Sequence, residues 1–244
     1  MKAILRVFPF VLFLCCMLAS CDDGNVEETY RLTREGKVAS LKMNNVTGAE
    51  NWADGYTLAF AAFSESSDYA IMLKYIRTVN NGKLDMVLSN IPDSVTSVEL
   101  CAVNRLRQRV VTFASVEGSE VTAASENDTI YLRQDNLSLS MFTALQENVF
   151  NTTCINCHGG SNFVAANLNL TEGKSHAALV GQPSSKVEGL SLVTAGDAAN
   201  SVLYQTLVTP LSQEQGWHYD HTQEVVRTKT QKLIEDWINA GAAK

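Results

Sequence analysis

Histidine and cysteine are scarce: the 244-residue sequence contains only four histidines and six cysteines. The stretch from 37 to 137 has no histidine, no glycine-rich phosphate loop and no pair of cysteines, so it offers no recognisable catalytic constellation. Its closely spaced Arg105, Arg107 and Arg109 are interpreted as a solvated edge or loop and not as an anion site. Its single cysteine, Cys101, is expected to be a small buried hydrophobe.

Positive charge is also in short supply. Lys and Arg number 19 against 26 Asp and Glu, which gives a formal net charge of −7. Lys2 and Arg6 are the only charged residues among the first 20. A mature chain without these 20 residues would carry a net charge of about −9. This negative charge argues against nucleic acid and anionic lipid surfaces as partners.

The apolar run near the N-terminus is too short to span a bilayer comfortably. It covers residues 7 to 18, follows Lys2 and Arg6, and ends in Leu18-Ala19-Ser20-Cys21. A charged start, a short apolar stretch and small residues before a cleavage point predict that residues 1–20 are an export signal. The last four residues resemble the lipobox of bacterial lipoproteins, so Cys21 is the predicted lipid anchor. An ordinary signal peptide cut nearby is the alternative.

Residues 21–36 are predicted to be an acidic tether. The acidic residues Asp22, Asp23, Glu27 and Glu28 resemble the surface-export signal of lipoproteins in the Bacteroidetes. In enteric bacteria an Asp in that place instead retains a lipoprotein in the inner membrane. The predicted location is the bacterial cell envelope, at the outer membrane, on its periplasmic face or at the cell surface.

Residues 37–137 have the periodicity of β-strands. Ala39, Leu41 and Met43 alternate with polar residues, which gives one buried and one wet face. Asn81-Gly82 favours a tight hairpin turn. About seven short strands in about 100 residues predict an antiparallel β-sandwich of the immunoglobulin or fibronectin kind, with a small barrel as the competing fold. A spacer, a docking module and a ligand-binding domain all remain open, because this fold does not specify a function.

From residue 138 onward the periodicity becomes helical. Helices are expected after the N-cap Ser140, over residues 171–180, after the N-cap Asp197, and from the capping-box pair Thr228 and Gln231. The predicted fold class is therefore α+β with two domains. The antiparallel β-sandwich of residues 37–137 is followed by an all-α domain over residues 138–244.

The C-terminal part contains the pattern C-x-x-C-H as Cys154-Ile155-Asn156-Cys157-His158, which is the attachment motif for c-type haem. Two thiols one helical turn apart can form thioethers to the two haem vinyl groups. The adjacent imidazole then lies under the iron, so His158 is the predicted proximal ligand. Export is consistent with this prediction, because thioether attachment in bacteria takes place outside the cytoplasm. The predicted cofactor is one covalent haem c.

Cys154 and Cys157 could also belong to a redox-active cysteine pair or to a structural zinc site. A thioredoxin-like redox pair belongs at a helix N-terminus after a strand, whereas the residues before Cys154 have a helical pattern. A structural zinc site could combine the two cysteines with His218 and His221. The two-residue gap between those histidines is shorter than is usual for zinc, and His158 would have no role.

The last hundred or so residues resemble a monohaem cytochrome c-like domain of the planctomycete-type class. Three further segments match that family in order: Leu168-Asn169-Leu170, the stretch from Gly196 to Tyr204, and the ending from Ile234 to Ala242. The resemblance implies a haem domain that exchanges single electrons with a redox partner protein. It covers less than half of the chain and implies nothing about residues 22–137.

The chain departs from this family at the second axial ligand. Relatives carry a Met-Pro before the last helix, but no methionine follows the haem motif here, and Met141 precedes it. In that place stands Trp217-His218-Tyr219-Asp220-His221, so we expect bis-histidine iron with His218 or His221 as the distal ligand. The alternative is that both are solvated loop residues. Trp217 and Tyr219 are expected to line the haem pocket or to be ordinary core aromatics.

The expected function is an exported, lipid-anchored electron carrier that is not an enzyme. A second imidazole in place of methionine predicts a lower reduction potential, and iron with both axial positions filled has no open position for oxygen or peroxide. One alternative is a haem enzyme or gas sensor with five-coordinate iron. Another is a surface-binding lipoprotein in which the β-sandwich carries the main function.

Overall fold

The computed structural model describes residues 36–160, 164–210, 217 and 219–244. The predicted signal segment, the predicted anchor Cys21, the tether up to residue 35 and the candidate ligand His218 lie outside the described residues. In the part of the chain that is described, no helix is both long and apolar enough to cross a membrane. The described residues group into one compact unit.

Within these described ranges, seven strands form two sheets. They are β1 (Lys37–Met43), β2 (Tyr56–Phe63), β3 (Met72–Tyr75), β4 (Leu84–Ile91), β5 (Ser97–Asn104), β6 (Arg109–Ser115) and β7 (Thr129–Arg133). The three-stranded sheet has the order β4-β1-β7, and the four-stranded sheet has the order β3-β2-β5-β6. All neighbouring strands are antiparallel except β1 and β7, which run parallel.

A tight turn at Asn81 and Gly82 leads into β4. Both residues have positive φ, 50° and 70°, and the Lys83 amide donates to the Asn80 carbonyl at 3.0 Å. Positive φ at both central positions is the geometry of the two-residue turn that Asn-Gly favours. The tight turn predicted at this position is confirmed, but the hairpin predicted with it is not, because β3 and β4 belong to different sheets.

The remaining elements are helical and mostly short. They are α1 (Gly118–Ala123), α2 (Met141–Leu145), a π-helical segment (Gln146–Cys154), α3 (Ile155–His158), a 3-10 turn (Ala165–Asn167), α4 (Ser175–Leu179), α5 (Val202–Val208), a second 3-10 turn (His221–Gln223) and α6 (Thr228–Asn239). Between α4 and α5 the chain makes turns and isolated bridges, including Val180 with Val193. Among the helices of the described part of the chain, only α6, with 12 residues, reaches the average length for a globular protein.

One hydrophobic core joins the sheets to the C-terminal helices. Leu41 and Phe60 of the two sheets belong to the same buried cluster as Leu145, Phe150 and Trp237. Each fully buried side chain of this size contributes roughly 1.5–3 kcal/mol to stability. The C-terminal elements are therefore held by the core that also stabilises the sheets.

The predicted fold class is wrong. The described residues form a mostly β structure with two sheets, one of them with a parallel strand pair, and an all-α cytochrome c-like domain after the sheets is not evident. Sequence periodicity identifies strands but not their partners, so it could not show that β7 returns parallel to β1. The helical pattern after residue 138 corresponds mainly to helices of four to seven residues, which bury too little surface to form a core of their own.

Candidate haem-attachment site

The segment that leads into the cysteine motif begins at a capped helix end. The hydroxyl of Ser140 accepts a hydrogen bond from the Thr143 amide at 3.1 Å, as predicted for an N-cap. After α2 the chain continues as the nine-residue π-helical segment that ends at Cys154. The π-helix is a rare conformation, and a large share of the known examples lie at functional sites.

The end of α3 requires a glycine. A Cβ added to Gly159 would lie 2.6 Å from the Ile155 carbonyl oxygen, which is closer than non-bonded atoms can approach without rearrangement. Gly159 therefore lets the chain turn sharply just after His158. The turn brings the following loop back, so that the Leu170 amide donates to the His158 carbonyl at 2.8 Å.

The ring of His158 is oriented by a backbone carbonyl. Its Nδ1 lies 3.0 Å from the Ala165 oxygen. Because a carbonyl can only accept, Nδ1 must carry the proton, and in the neutral ring Nε2 then keeps its lone pair. A metal-binding histidine commonly donates its other ring N–H in this way, which fixes both the tautomer and the orientation of the ring.

The two cysteines of the motif differ in exposure. Cys154 is partly buried against the core, whereas Cys157 is exposed, and neither forms a disulfide. Burial raises the pKa of the Cys154 thiol to about 11, and the nearby Glu224 carboxylate adds to this effect. Cys154 is therefore held in the protonated thiol form.

His221 lies beside His158, although the two are distant in the sequence. Their ring centroids are 6.4 Å apart and their planes are inclined by 29°. Two imidazoles that bind one metal ion through nitrogens at roughly 2 Å each have ring centroids roughly 6 Å apart. The distance between the two ring centroids therefore matches that of two imidazoles on one metal ion.

The surroundings of His221 favour its neutral form. Burial lowers the pKa of His221, and the His158 ring adds to the lowering. A hydrogen bond with the Tyr219 backbone raises the pKa, as do the carboxylates of Glu224 and Asp220, but the net shift is downward. Since a metal-bound imidazole must be deprotonated at its ligating nitrogen, this shift keeps His221 in the ligand form.

Trp217 and Tyr219 contact the His221 ring. Both meet it edge-on at an interplanar angle of 85°, with centroid distances of 6.0 Å for Trp217 and 5.2 Å for Tyr219. The Tyr219 hydroxyl bonds to Glu224, and the Tyr219 ring is 55% exposed. The two aromatic rings therefore pack around His221 and not in the main core.

Three other residues that could have belonged to the site have structural partners elsewhere. The Asp220 carboxylate caps the following turn by accepting from the Thr222 amide at 2.9 Å. His176 is partly buried, and its Nε2 donates to the Ala242 carbonyl at 2.8 Å. The sulfur of Met141 accepts from the Ala53 amide at 3.3 Å, on the side of the β-strands.

Sequence reasoning missed the two groups that shape the site most directly. Ala165 acts through its backbone carbonyl, so its side chain gives no signal in the sequence. Glu224 lies one turn beyond His221 and could have been noted from that spacing. Within the described ranges no group of three or more His, Cys, Asp and Glu side chains is placed to hold a metal ion, and His218, a ligand in the zinc alternative, lies outside them.

Comparisons of this chain with protein-family models, curated proteins and solved structures gave no match.

Proposed function

We propose that this protein is an exported, lipid-anchored c-type cytochrome that binds one covalent haem c between His158 and His221. The single observation that carries the proposal is the pair of neighbouring imidazoles, 6.4 Å apart between centroids, of which one belongs to a C-x-x-C-H motif. When bound, the haem iron supplies one-electron redox chemistry. The resemblance of the C-terminal sequence to monohaem c-type cytochromes supports the same function.

The two cysteines attach the cofactor. Each thiol adds across one vinyl double bond, so that sulfur bonds to one carbon and the thiol hydrogen goes to the other. Cys154 is in the thiol form that this addition uses. Cys157 is exposed and accessible to an attachment system.

His158 and His221 act as the axial ligands. The Ala165 carbonyl holds the proton of His158 on Nδ1, which leaves Nε2 for iron. If both imidazoles held the iron, no coordination position would be open, so the haem would supply electron transfer and not catalysis at iron. Two imidazoles also give a lower potential than histidine with methionine.

The proposed location follows from the N-terminal sequence. Cys21 carries the lipid that anchors the chain in the cell envelope, at the outer membrane, and the acidic residues after it form the tether. The partner is a redox protein, and the net charge of −7 argues against nucleic acid.

A maturation experiment tests the proposal. The full chain is produced in bacteria together with a haem-attachment system, and we expect the mass of one haem and a c-type reduced-minus-oxidised spectrum. Cys154→Ser and Cys157→Ser together should abolish both signals, while Cys101→Ala, a matched change at the buried cysteine outside the motif, should retain them. An exported wild-type chain with both thiols free and no added mass would overturn the proposal.

A further inference from the structure

Gln146 is a buried polar residue at the point where α2 passes into the π-helical segment. The residue is 4% exposed. Its amide nitrogen donates to the side-chain oxygen of Asn151 at 2.7 Å and to the Leu170 carbonyl at 3.0 Å. Its oxygen accepts from the Ser175 hydroxyl. Both N–H groups and the oxygen of this amide are therefore in use.

The contact with Asn151 matches the register of the π-helix. The two residues are separated by five positions, which is the hydrogen-bond spacing of a π-helix and not of an α-helix. A change from one spacing to the other displaces all later residues by one position, or roughly 100° about the helix axis. Because Cys154 ends this segment and His158 ends the next turn, the register determines which way both side chains face.

The contact with Leu170 connects Gln146 to the His158 backbone. The Leu170 carbonyl accepts from Gln146, and the Leu170 amide donates to the His158 carbonyl at 2.8 Å. Leu170 is 2% exposed and Ser175 is fully buried. An apolar side chain at position 146 would leave both of these residues with a buried polar group lacking a partner, which costs roughly 1–3 kcal/mol for each group.

We propose that Gln146 is the positioning residue of the cysteine motif. Its amide fixes the π register through Asn151 and anchors the returning loop through Leu170, so that Cys154 packs inward while the His158 ring lies beside His221. The importance of Gln146 for electron transfer rests on the proposed function. Its effect on the orientation of the Cys154 and His158 side chains is independent of that function.

The test measures thiol reactivity in the full chain made without a haem-attachment system and kept reduced. In the wild type, the exposed Cys157 should be alkylated much faster than the partly buried Cys154. In Gln146→Leu, relaxation of the register turns Cys154 away from the core, so the ratio of the two rates should fall severalfold. Asn148→Ala is the matched control, because this amide of the same segment donates only to the Ala144 carbonyl one turn earlier. It should leave the ratio unchanged.

An unchanged ratio in folded Gln146→Leu overturns the proposal. If Gln146→Leu does not fold, Ser175→Ala decides, since it removes only one of the three hydrogen bonds. In Ser175→Ala, a fall in the ratio of the Cys157 to the Cys154 alkylation rate that is smaller than the severalfold fall expected for Gln146→Leu supports the positioning role. An unchanged ratio in Ser175→Ala overturns it.

A second readout uses the haem-loaded protein. Gln146→Leu should weaken the absorption signature of two bound imidazoles, whereas Asn148→Ala should preserve it. If the wild type takes up no haem but its thiol ratio still responds to Gln146→Leu, the proposed function fails and the positioning role stands. If haem attaches and neither the ratio nor the spectrum responds, the positioning role fails alone.

Discussion

The Tyr56 hydroxyl donates a hydrogen bond to the Asp236 carboxylate at 2.8 Å. Tyr56 begins β2 and Asp236 lies in α6, so this bond joins the sheets to the last helix. Burial raises the pKa of Tyr56 above its usual range, and the hydrogen bond with Asp236 adds to this effect. The tyrosine is therefore protonated at neutral pH and can donate this hydrogen bond.

Tyr56→Phe should lower the free energy of unfolding by about 1 kcal/mol, because Asp236 loses one donor but keeps its contact with Lys232. Chemical denaturation followed by far-UV circular dichroism measures the change. Tyr131→Phe is the control, since Tyr131 is 49% exposed. A loss of equal size in both variants would contradict a specific role for the bond.

Trp237 tests whether the sheets and the C-terminal helices share one core. It is 2% exposed and packs against Phe142 with a centroid distance of 5.4 Å. Trp237→Ala should cost about 3–5 kcal/mol, whereas Val226→Ala, at a residue that is 65% exposed, should change little. We expect a single unfolding transition with both far-UV and tyrosine signals. Two separate transitions would indicate two independent cores.

Local features of the fold could be predicted from the sequence, but long-range pairing could not. The turn at Asn81-Gly82 depends on the backbone preferences of two adjacent residues, and the Ser140 cap on a few more, so both are visible in the sequence. The parallel pairing of β7 with β1 depends on contacts between residues far apart in the chain. Alternation of polar and apolar residues is the same in parallel and antiparallel strands that have one wet face.

In the candidate site, too, the local features could be predicted from the sequence and the long-range contacts could not. The spacing of Cys154, Cys157 and His158 is a local pattern, and the sequence therefore identified it. The sequence offered both His218 and His221 as partners for His158. Of these two histidines the structure describes only His221, and it places this ring 6.4 Å from the His158 ring, between centroids. The Ala165 carbonyl that orients His158 belongs to a backbone turn, and no side chain marks such a turn.

An ion-pair network gives stability that depends on pH. A hydrogen bond from Lys229 lowers the pKa of Asp68 below its usual value of 3.8, and one from Arg109 adds to this effect. Because the folded-state pKa is the lower one, the stabilisation is present above about pH 4 and is lost as the pH falls through the folded-state value. Asp68→Asn should therefore flatten the decline of stability below pH 4.

The measurement for this network is the denaturation midpoint between pH 2 and pH 6, a range that brackets the ordinary carboxyl pKa of about 4. Asp85→Asn is the matched control, because Asp85 lies 4.0 Å from Lys42 and both side chains are mostly exposed. Exposed pairs of this kind contribute little, so this variant should follow the wild type. Identical curves for Asp68→Asn and the wild type would contradict the network's contribution.

Removal of His221 tests the distal ligand in the haem-loaded protein. With both imidazoles bound, reduced wild-type protein should bind carbon monoxide slowly and to a small extent, because the gas must first displace a ligand. His221→Ala should leave one face of iron open, so carbon monoxide should bind rapidly with a large spectral change. The reduction potential should also shift, because the set of axial ligands has changed.

His176→Gln is the matched histidine control for this experiment. Its ring nitrogen donates to the Ala242 carbonyl, and a glutamine amide can donate there in its place, so carbon monoxide binding should stay slow. Rapid binding by the wild type would exclude stable ligation by two histidines and favour five-coordinate iron, the state of haem enzymes and gas sensors. Slow binding by both the wild type and His221→Ala would instead assign the distal position to another group, and His221 would then be only a neighbour of the haem.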